Sequence, residues 1–579
     1  MGYLLKKYMK PYKWLVTGVV LCVCVQAAAQ LLLMSKTKQI IDEGVAKQDM
    51  NMIWSTGLFM IFITVLTGIA LGISSYCSAK AVGRFACDIR EALFHAVTKM
   101  SAADMNHFGS ATLMTRTTVD TISLQTFIIN MLRTSMLVPI FMIGILFSTF
   151  RLNKPMFLCL AVMFVAALLI TVISMTKSVP LFVRLQQNVD HINLLMREKI
   201  VGARPIRAFG RQEYEREKFD QAADEAYENA IKANSRLNYI SPTVLFCMNI
   251  AMVIIYYIGA IQLKQNLVSI ATLILFFQYV TYFITCLAII PVIVNMLPKA
   301  DVASKRIKEV LEYVPVIQDY QEAETVSQHN GEIVFDHVYF GYQDAEPVIS
   351  DISFHVKPGT TTALIGATGC GKTTIMNLLL RMYECSQGSI SIDGVDVQKF
   401  STRDLRERIS FATQKPQIYQ DTILQNLIMN NPSMPTETIQ AACEAACFEE
   451  VLQKQKDGLQ TVMSQDGMNL SGGQRQRLSL ARTIAKDAEI YIFDDSFSAL
   501  DLKTEATARK KIKQLLQNKT ILMVAQKINT IMDADEIIVL EQGRICGKGR
   551  HEELLANCAV YQDIYKTQCY AEKKEGDFS

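Results

Sequence analysis

Apolar residues dominate the first 300 positions in long unbroken runs, and beyond them the runs shorten and alternate with amphipathic stretches. Trp14–Met34 holds no charged residue and matches the ~20 residues a helix needs to cross a bilayer. Similar runs follow at Met52–Tyr76, Met156–Met175 and Pro242–Leu263. Ser135–Phe150 is shorter but extends back through "TFIINML", and Gln265–Pro298 is long enough for a last span with a cytoplasmic extension. One such run also suits a buried soluble helix; six in succession predict an all-α membrane domain of six spans. The first run is as long as a span, so it does not read as a cleavable leader.

Segments 77–125 and 176–241 lie between spans, yet 181–239 is nearly free of Gly and Pro and mixes charges at helical spacing. They predict pairs of helical legs, each reaching roughly 38 Å for 25 residues. Such legs could carry force between a soluble motor and the membrane. These segments and the N-terminus hold 20 Lys and Arg, against six on the other side (Lys36, Lys38, Lys47, Arg151, Lys154, Lys264). That bias predicts both termini in the cytoplasm. Within the spans, Gln26 and Gln30 share one face, as do Gln278, Thr281, Tyr282 and Thr285. Intramembrane polar groups face protein or water, so a substrate cavity and helix–helix hydrogen bonding both remain open.

The polar stretch 311–328 reads as a linker. Beyond it "GEIVFDHVYFGY", "TTTALIG", "SISIDG", "ISFATQ", "AEIYIFD" and "TILMVAQ" are strand-like, with helical patterns between several of them. This alternation predicts an α/β domain on a mainly parallel sheet. The predicted order is a membrane domain (1–310), a linker (311–328), an α/β domain (329–570) and a flexible tail (571–579).

Composition narrows the function. Half the residues are hydrophobic, and the net charge of +3 is too balanced for a nucleic-acid binder. The 14 cysteines form no CxxC pairs and the seven histidines are scattered, so neither a disulfide framework nor a metal cluster is expected.

The chemistry concentrates at Gly366–Thr373, "GATGCGKT", which fits G-x-x-x-x-G-K-[ST] after a strand and before a helical run. Gly366, Ala367, Thr368, Gly369, Cys370 and Gly371 would curl backbone N–H groups around phosphates, and a helix starting near Thr374 would add its dipole. Lys372 would reach the β/γ phosphates of a nucleotide and the Thr373 hydroxyl would help hold Mg²⁺. Asp494 ends an apolar strand, the expected place for an acid contacting Mg²⁺. "LSGGQRQR" (470–477) contributes Ser471, Gly472, Gly473 and Gln474 at a helix start, a second possible set of phosphate donors.

With these motifs the whole chain resembles the ATP-binding cassette (ABC) family, specifically its exporter-type half-transporters. The resemblance implies an all-α six-helix transmembrane domain followed by an α/β P-loop nucleotide-binding domain. It implies two cassettes closing head to tail, each ATP lying between one P-loop and the other subunit's LSGGQ. Tyr342 matches the aromatic that stacks on adenine. Gln414 matches the glutamine that senses Mg²⁺ and couples to the membrane domain. Ser498–Asp501, "SALD", matches the loop between the two sites, with Asp501 among the nucleotide-side residues. In the membrane half, residues 197–215 look like the family's second leg and 108–120 like its first, with Ser110-Ala111 in place of the usual Thr-Gly.

Two positions depart from the family. Asp495 stands where a glutamate usually polarises the attacking water, and Gln526 where a histidine usually contacts the γ-phosphate. Aspartate is shorter by one methylene, and a misplacement of about 1 Å can cost about 10²-fold in rate. The chain's own site is expected to bind ATP and hydrolyse it slowly, while its intact LSGGQ would complete a partner's site. This points to the degenerate-site half of a heterodimeric, multidrug-like exporter of amphipathic compounds in a bacterial cell membrane, its partner a second, non-identical half-transporter. The alternatives are a slow homodimer, an ATP-gated regulatory or channel-like protein, and an importer on the same architecture. Membrane lipid and a small amphipathic molecule are the other expected partners. Cys370 suggests sensitivity to thiol reagents, or simply a small side chain that fits.

Overall fold

The structure is a computed structural model describing residues 1–318, 329–342, 346–429 and 431–576. It divides into two compact units, Met1–Thr98 with Gly109–Tyr313, and Lys99–Phe108 with Val314–Ser579. Most of the expected linker, 319–328, lies outside the described residues, as do 577–579 of the expected tail.

The first unit is helical: α1 (Lys13–Gln39), α2 (Met50–Thr98), α3 (Ser110–Leu152), α4 (Lys154–Val201), α5 (Gln212–Asn238), α6 (Ile240–Lys264) and α7 (Ile270–Glu312). Among the described residues six helical segments are long and apolar enough to cross a membrane. The expected legs are not separate helices at their roots. With 49 residues, α2 runs unbroken from span to leg, and α4 does the same with 48. On α2, Leu58 (61%), Ile61 (62%), Phe62 (63%) and Val65 (57%) are exposed. Facing water this would be a penalty; facing hydrocarbon it is the solvent they suit.

The last span starts later than its charge-free run. Gln265–Ser269 forms a turn through the left-handed Asn266, and α7 begins at Ile270 with the Ser269 hydroxyl accepting from Thr272 N–H. Of the intramembrane polar residues, Gln30 donates through Nε2 to Tyr282 Oη, linking α1 to α7. Thr281 and Thr285 donate back to carbonyls of their own helix. Gln278 Oε1 is buried with no partner. Near the N-terminal end of α3, buried Arg116 pairs with Glu309 (2.9 Å) and donates to the Arg306 carbonyl (3.0 Å), fastening α3 to α7.

The second unit carries the predicted parallel sheet and also an antiparallel one. β1 (Ile333–Phe340), β2 (Ile349–Val356), β4 (Gln387–Ile392) and β5 (Val395–Asp396) form an antiparallel sheet in the order β2-β1-β4-β5. The larger sheet has the order β10-β9-β3-β8-β7-β6. It is built from β3 (Thr361–Gly366), β6 (Ile409–Ala412), β7 (Ile490–Asp494), β8 (Thr520–Val524), β9 (Glu536–Glu541) and β10 (Arg544–Gly549). All its pairings are parallel except the β9–β10 hairpin.

The strand period of two builds two cores from one sheet. Tyr491 and Phe493 of β7 enter one cluster with the helices around Leu478–Ala485, while Ile490 and Ile492 enter the other, which fills the space toward the antiparallel sheet. The helix after the P-loop, α8 (Lys372–Leu379), contributes Ile375, Met376, Leu378 and Leu379 to that second cluster. The other helices used below are α9 (Gly472–Ala485), α10 (Leu502–Leu515), α11 (His551–Asn557) and α12 (Ala559–Gly576). The last runs into the stretch expected as a flexible tail.

Residues 99–108, expected within the membrane domain, group with the α/β unit. Asn106 Nδ2 donates to Tyr383 Oη (3.1 Å), and Asp104 Oδ1 accepts from Val316 N–H (3.4 Å).

Candidate nucleotide site

The site is assembled at the carboxyl ends of the parallel strands, where three neighbours, β3, β8 and β7, end side by side. β3 delivers Gly366, and a Cβ there would meet the Leu540 carbonyl oxygen at 2.2 Å, so only glycine fits. The loop then turns through Gly369 (φ +86°) and Gly371 (φ +99°), left-handed conformations that side-chain-bearing residues rarely adopt. Gly371 stands immediately before α8. Ala367 and Thr368 span the exposed outer part of the loop, whereas Cys370 is buried.

Lys372 is 8% exposed, and its Nζ donates to the carbonyls of Gly366 (2.8 Å) and Ala367 (2.9 Å) and lies 3.6 Å from Cys370 Sγ. The ammonium is thus held over the loop by the loop's own oxygens, with its charge at the concave side of the helix start. Thr373 hydrogen-bonds the Asp494 carboxyl. Asp494 is buried, and that burial pushes its carboxyl above the usual range; the Thr373 bond and the Lys372 charge pull the other way. The Thr373 hydroxyl and the buried Asp494 carboxylate are hard oxygen donors, and the Lys372 ammonium beside them suits phosphate. Together they fit Mg²⁺ carried by a nucleotide phosphate better than a dedicated all-protein metal cage. Among the described residues no cluster of three or more His, Cys, Asp or Glu could hold a metal by itself.

Asp495 follows in a left-handed conformation (φ +46°) that aspartate tolerates better than most residues, its N–H donating to the Val524 carbonyl (2.9 Å). Its Oδ2 accepts from Gln526 Nε2 at 3.0 Å and from Gln414 Nε2 at 3.3 Å. Burial raises its carboxyl pKa, and the bonds from Gln414 and Ser498 oppose that rise. The two departures from the family pattern therefore touch each other. Gln414 comes from the end of β6 and Gln526 from the end of β8, the two strands flanking β7. One carboxylate oxygen is shared between two amides.

Tyr342 does not stand free. Its hydroxyl is 3.1 Å from Thr374 Oγ1, and its ring meets Phe340 and Tyr383 edge-on at 4.9 and 5.1 Å. Tyr383, absent from the sequence-based set, joins this aromatic group because the chain turns sharply at Arg381 (φ +48°) after α8.

Ser471 caps α9, its hydroxyl accepting from Gln474 N–H (3.3 Å) while Gln474 Oε1 accepts from Ser471 N–H (2.8 Å). This reciprocal pair fixes the helix start and leaves Ser471 and Gly472 exposed. A Cβ on Gly473 would lie 3.1 Å from the Ala499 carbonyl oxygen, so this turn needs a small residue beside the 498–501 loop. Asp501 caps α10 by accepting from Thr504 N–H (3.0 Å), which lowers its carboxyl pKa. Among the described residues no hydrogen bond or ion pair joins Ser471–Gln474 to Gly366–Thr374. The chain thus holds two half-sites, each pre-shaped.

The sequence matches the family described as ABC transporter transmembrane region over residues 16–287 and the family described as ABC transporter over residues 349–498. It is 32% identical over 573 residues to an uncharacterised ABC transporter ATP-binding protein of Mycobacterium tuberculosis, covering 98% of each chain. It is 31% identical over 570 residues to the similarly described YfiB of Bacillus subtilis, covering 98% and 99%. An ATP-dependent lipid A-core flippase of Thiobacillus denitrificans is 29% identical over 568 residues, with 97% of each chain covered. Among solved structures, a bacterial Atm1-family ABC exporter with ATP bound superposes with a TM-score of 0.79 at 21% identity, covering 96% of this chain and 98% of that one.

Proposed function

Because the chain belongs to the ATP-binding cassette (ABC) transporter family, a multi-pass membrane protein of exporter fold whose ATPase domain couples hydrolysis to transport, we propose that it is one half of an asymmetric heterodimeric exporter of amphipathic, lipid-like compounds. Its own P-loop site holds ATP and hydrolyses it slowly; its Ser471–Gln474 turn completes the faster site of a non-identical partner. In this reading both termini and the α/β domain face the cytoplasm of a bacterial cell, an orientation that the basic bias of the legs supports. The lipid-like substrate class rests on the flippase relatives.

The observation that carries this reading is the bonding of Asp495. A carboxylate that polarises water must be able to turn an oxygen toward it, and bonds held by one of its oxygens fix its orientation. Here Oδ2 accepts from Gln526 and Gln414, and the side chain is about 1 Å shorter than a glutamate, a deficit worth about 10²-fold. Lys372 and the P-loop N–H groups bind phosphates without needing that oxygen. Thr373 and Asp494 would hold Mg²⁺, which when bound neutralises charge on the transferring phosphoryl group. Tyr342 leaves Thr374 to stack on adenine. The result is a site able to bind and close and poorly able to cleave.

The test is phosphate release by the purified chain in lipid nanodiscs, alone and with a co-expressed candidate half-transporter that carries Glu and His at the positions matching Asp495 and Gln526. High and equal rates in the two preparations would sink the asymmetric reading. An ATP-gated regulator is also favoured by a locked Asp495. It is separated by flux into inverted vesicles: transport that stops with a non-hydrolysable ATP analogue excludes a pure gate.

A further inference from the structure

The C-terminal helix reaches the nucleotide site through one side chain. Gln568, half-buried on α12, donates through Nε2 to the Gln526 carbonyl at 2.7 Å and accepts through Oε1 from the Ile528 N–H at 2.8 Å. A primary amide offers one donor side and one acceptor side. Used together on residues 526 and 528, they grip the main chain as a neighbouring strand would. The loop needs such a grip. Ala525 N–H still bonds the sheet at Leu364 (3.2 Å), and beyond it the chain leaves β8 for the short turn Ile528–Thr530.

The grip is itself anchored. Tyr561, at the start of α12, is fully buried, and its hydroxyl lies 2.6 Å from His551 Nδ1 on α11. Gln562 Nε2 caps α11 at the Leu555 carbonyl (2.8 Å). Placement of α12 therefore passes through Gln568 to the backbone of Gln526. The Gln526 side chain in turn reaches Asp495, next to the Thr373–Asp494 pair.

We propose that Gln568 is a positioning residue for the phosphate end of this site, acting through Gln526 to set where that amide stands relative to the outermost phosphate. This rests on the nucleotide-site reading above, and on Gln526 facing the third phosphate. Binding of ADP, which lacks that phosphate, does not depend on the loop, so the clamp is visible as nucleotide discrimination without any turnover.

Gln568→Met keeps the length and packing of the side chain and removes both bonds. Gln568→Glu keeps the acceptor for Ile528 N–H and sets an oxygen against the Gln526 carbonyl. The full-length protein in nanodiscs is titrated with Mg-ATP and Mg-ADP by displacement of a trinitrophenyl nucleotide. Both variants are expected to lower the ATP-to-ADP affinity ratio by roughly three- to tenfold, the size of one lost buried hydrogen-bond interaction, with ADP affinity unchanged. Adding Gln526→Ala to Gln568→Met should lower the ratio no further than Gln526→Ala alone. An unchanged ratio, or equal weakening for both nucleotides, overturns the proposal. Phosphate release by the wild type is measured separately: a fast rate defeats the slow-site reading and leaves the ratio test standing.

Discussion

Replacing Asp495 by glutamate and Gln526 by histidine together should turn the slow site into a working one. The added methylene carries the carboxylate outward by about 1 Å, and recovering that distance is worth about 10²-fold, or about 2.7 kcal/mol of barrier. The bonds at Asp495 oppose the single change. Oδ2 accepts from Gln526 at 3.0 Å and Gln414 at 3.3 Å, and a hydrogen bond to a charged group contributes about 1.5–3 kcal/mol. A glutamate placed beside an unchanged Gln526 therefore remains partly tied down, and Asp495→Glu alone should gain about tenfold or less. Gln526→His alone should gain little, because the acid is still short. The two changes should couple by at least about 1 kcal/mol, as expected for residues in one hydrogen-bond network. The assay is phosphate release at saturating Mg-ATP in nanodiscs for all four forms. A double variant within twofold of the wild type, or singles that multiply to the double, would refute the reasoning.

Gly366→Ala should abolish nucleotide binding, because its Cβ would sit 2.2 Å from the main-chain oxygen of Leu540; retained Mg-ATP binding by equilibrium titration would count against the tight strand–loop approach. Arg408→Met should destabilise the α/β domain by about 3 kcal/mol, since it leaves the buried carboxylate of Asp393, now 3.2 Å away, without its cation. A change of that size lowers the melting temperature by roughly 6–12 °C in a domain of 150–250 residues, readable by scanning calorimetry. His337 Nδ1 lies 2.6 Å from Asp351, which together with Asp336 raises its pKa above the usual 6.5. A raised base stabilises the fold fully below its unfolded pKa and loses that contribution as pH climbs through the folded one. Melting temperature should thus fall between about pH 6.5 and the raised value, and Asp351→Asn should flatten that part of the profile.

What could be read from the chain depended on how local each determinant is. The P-loop is contiguous, and its glycines, Lys372 and Thr373 announce their geometry by spacing alone. The spans were legible because a bilayer imposes one length on every crossing; the start of the last was not, since Gln265–Ser269 carries no charge and turns only through the backbone of Asn266. β2, β5, β9 and β10 are not legible in the chain. β2, "ISDISFHV", has polar residues at its half-covered face, and β10, "RICGKG", carries two glycines on an edge. The pairing of Asp495 with Gln526 joins residues 31 apart, and the bond from Asn106 to Tyr383 joins residues 277 apart. No spacing rule contains either; both follow from which strands end side by side and which loop tip meets the α/β unit. Gln568 was invisible for the same reason, as one amide in a polar helix until the loop it grips is placed.

The central claim is that this chain's P-loop site holds ATP and cleaves it only slowly. The most direct measurement is the chemical state of nucleotide retained there. The wild-type protein in nanodiscs is loaded with Mg-ATP labelled on both the α- and γ-phosphates, freed of unbound nucleotide on a rapid spin column, and quenched after several minutes. The account predicts that the nucleotide recovered from wild-type protein is largely intact ATP, while the Asp495→Glu/Gln526→His protein yields ADP. Recovery of ADP from the wild type, at a rate matching the double variant, would contradict it.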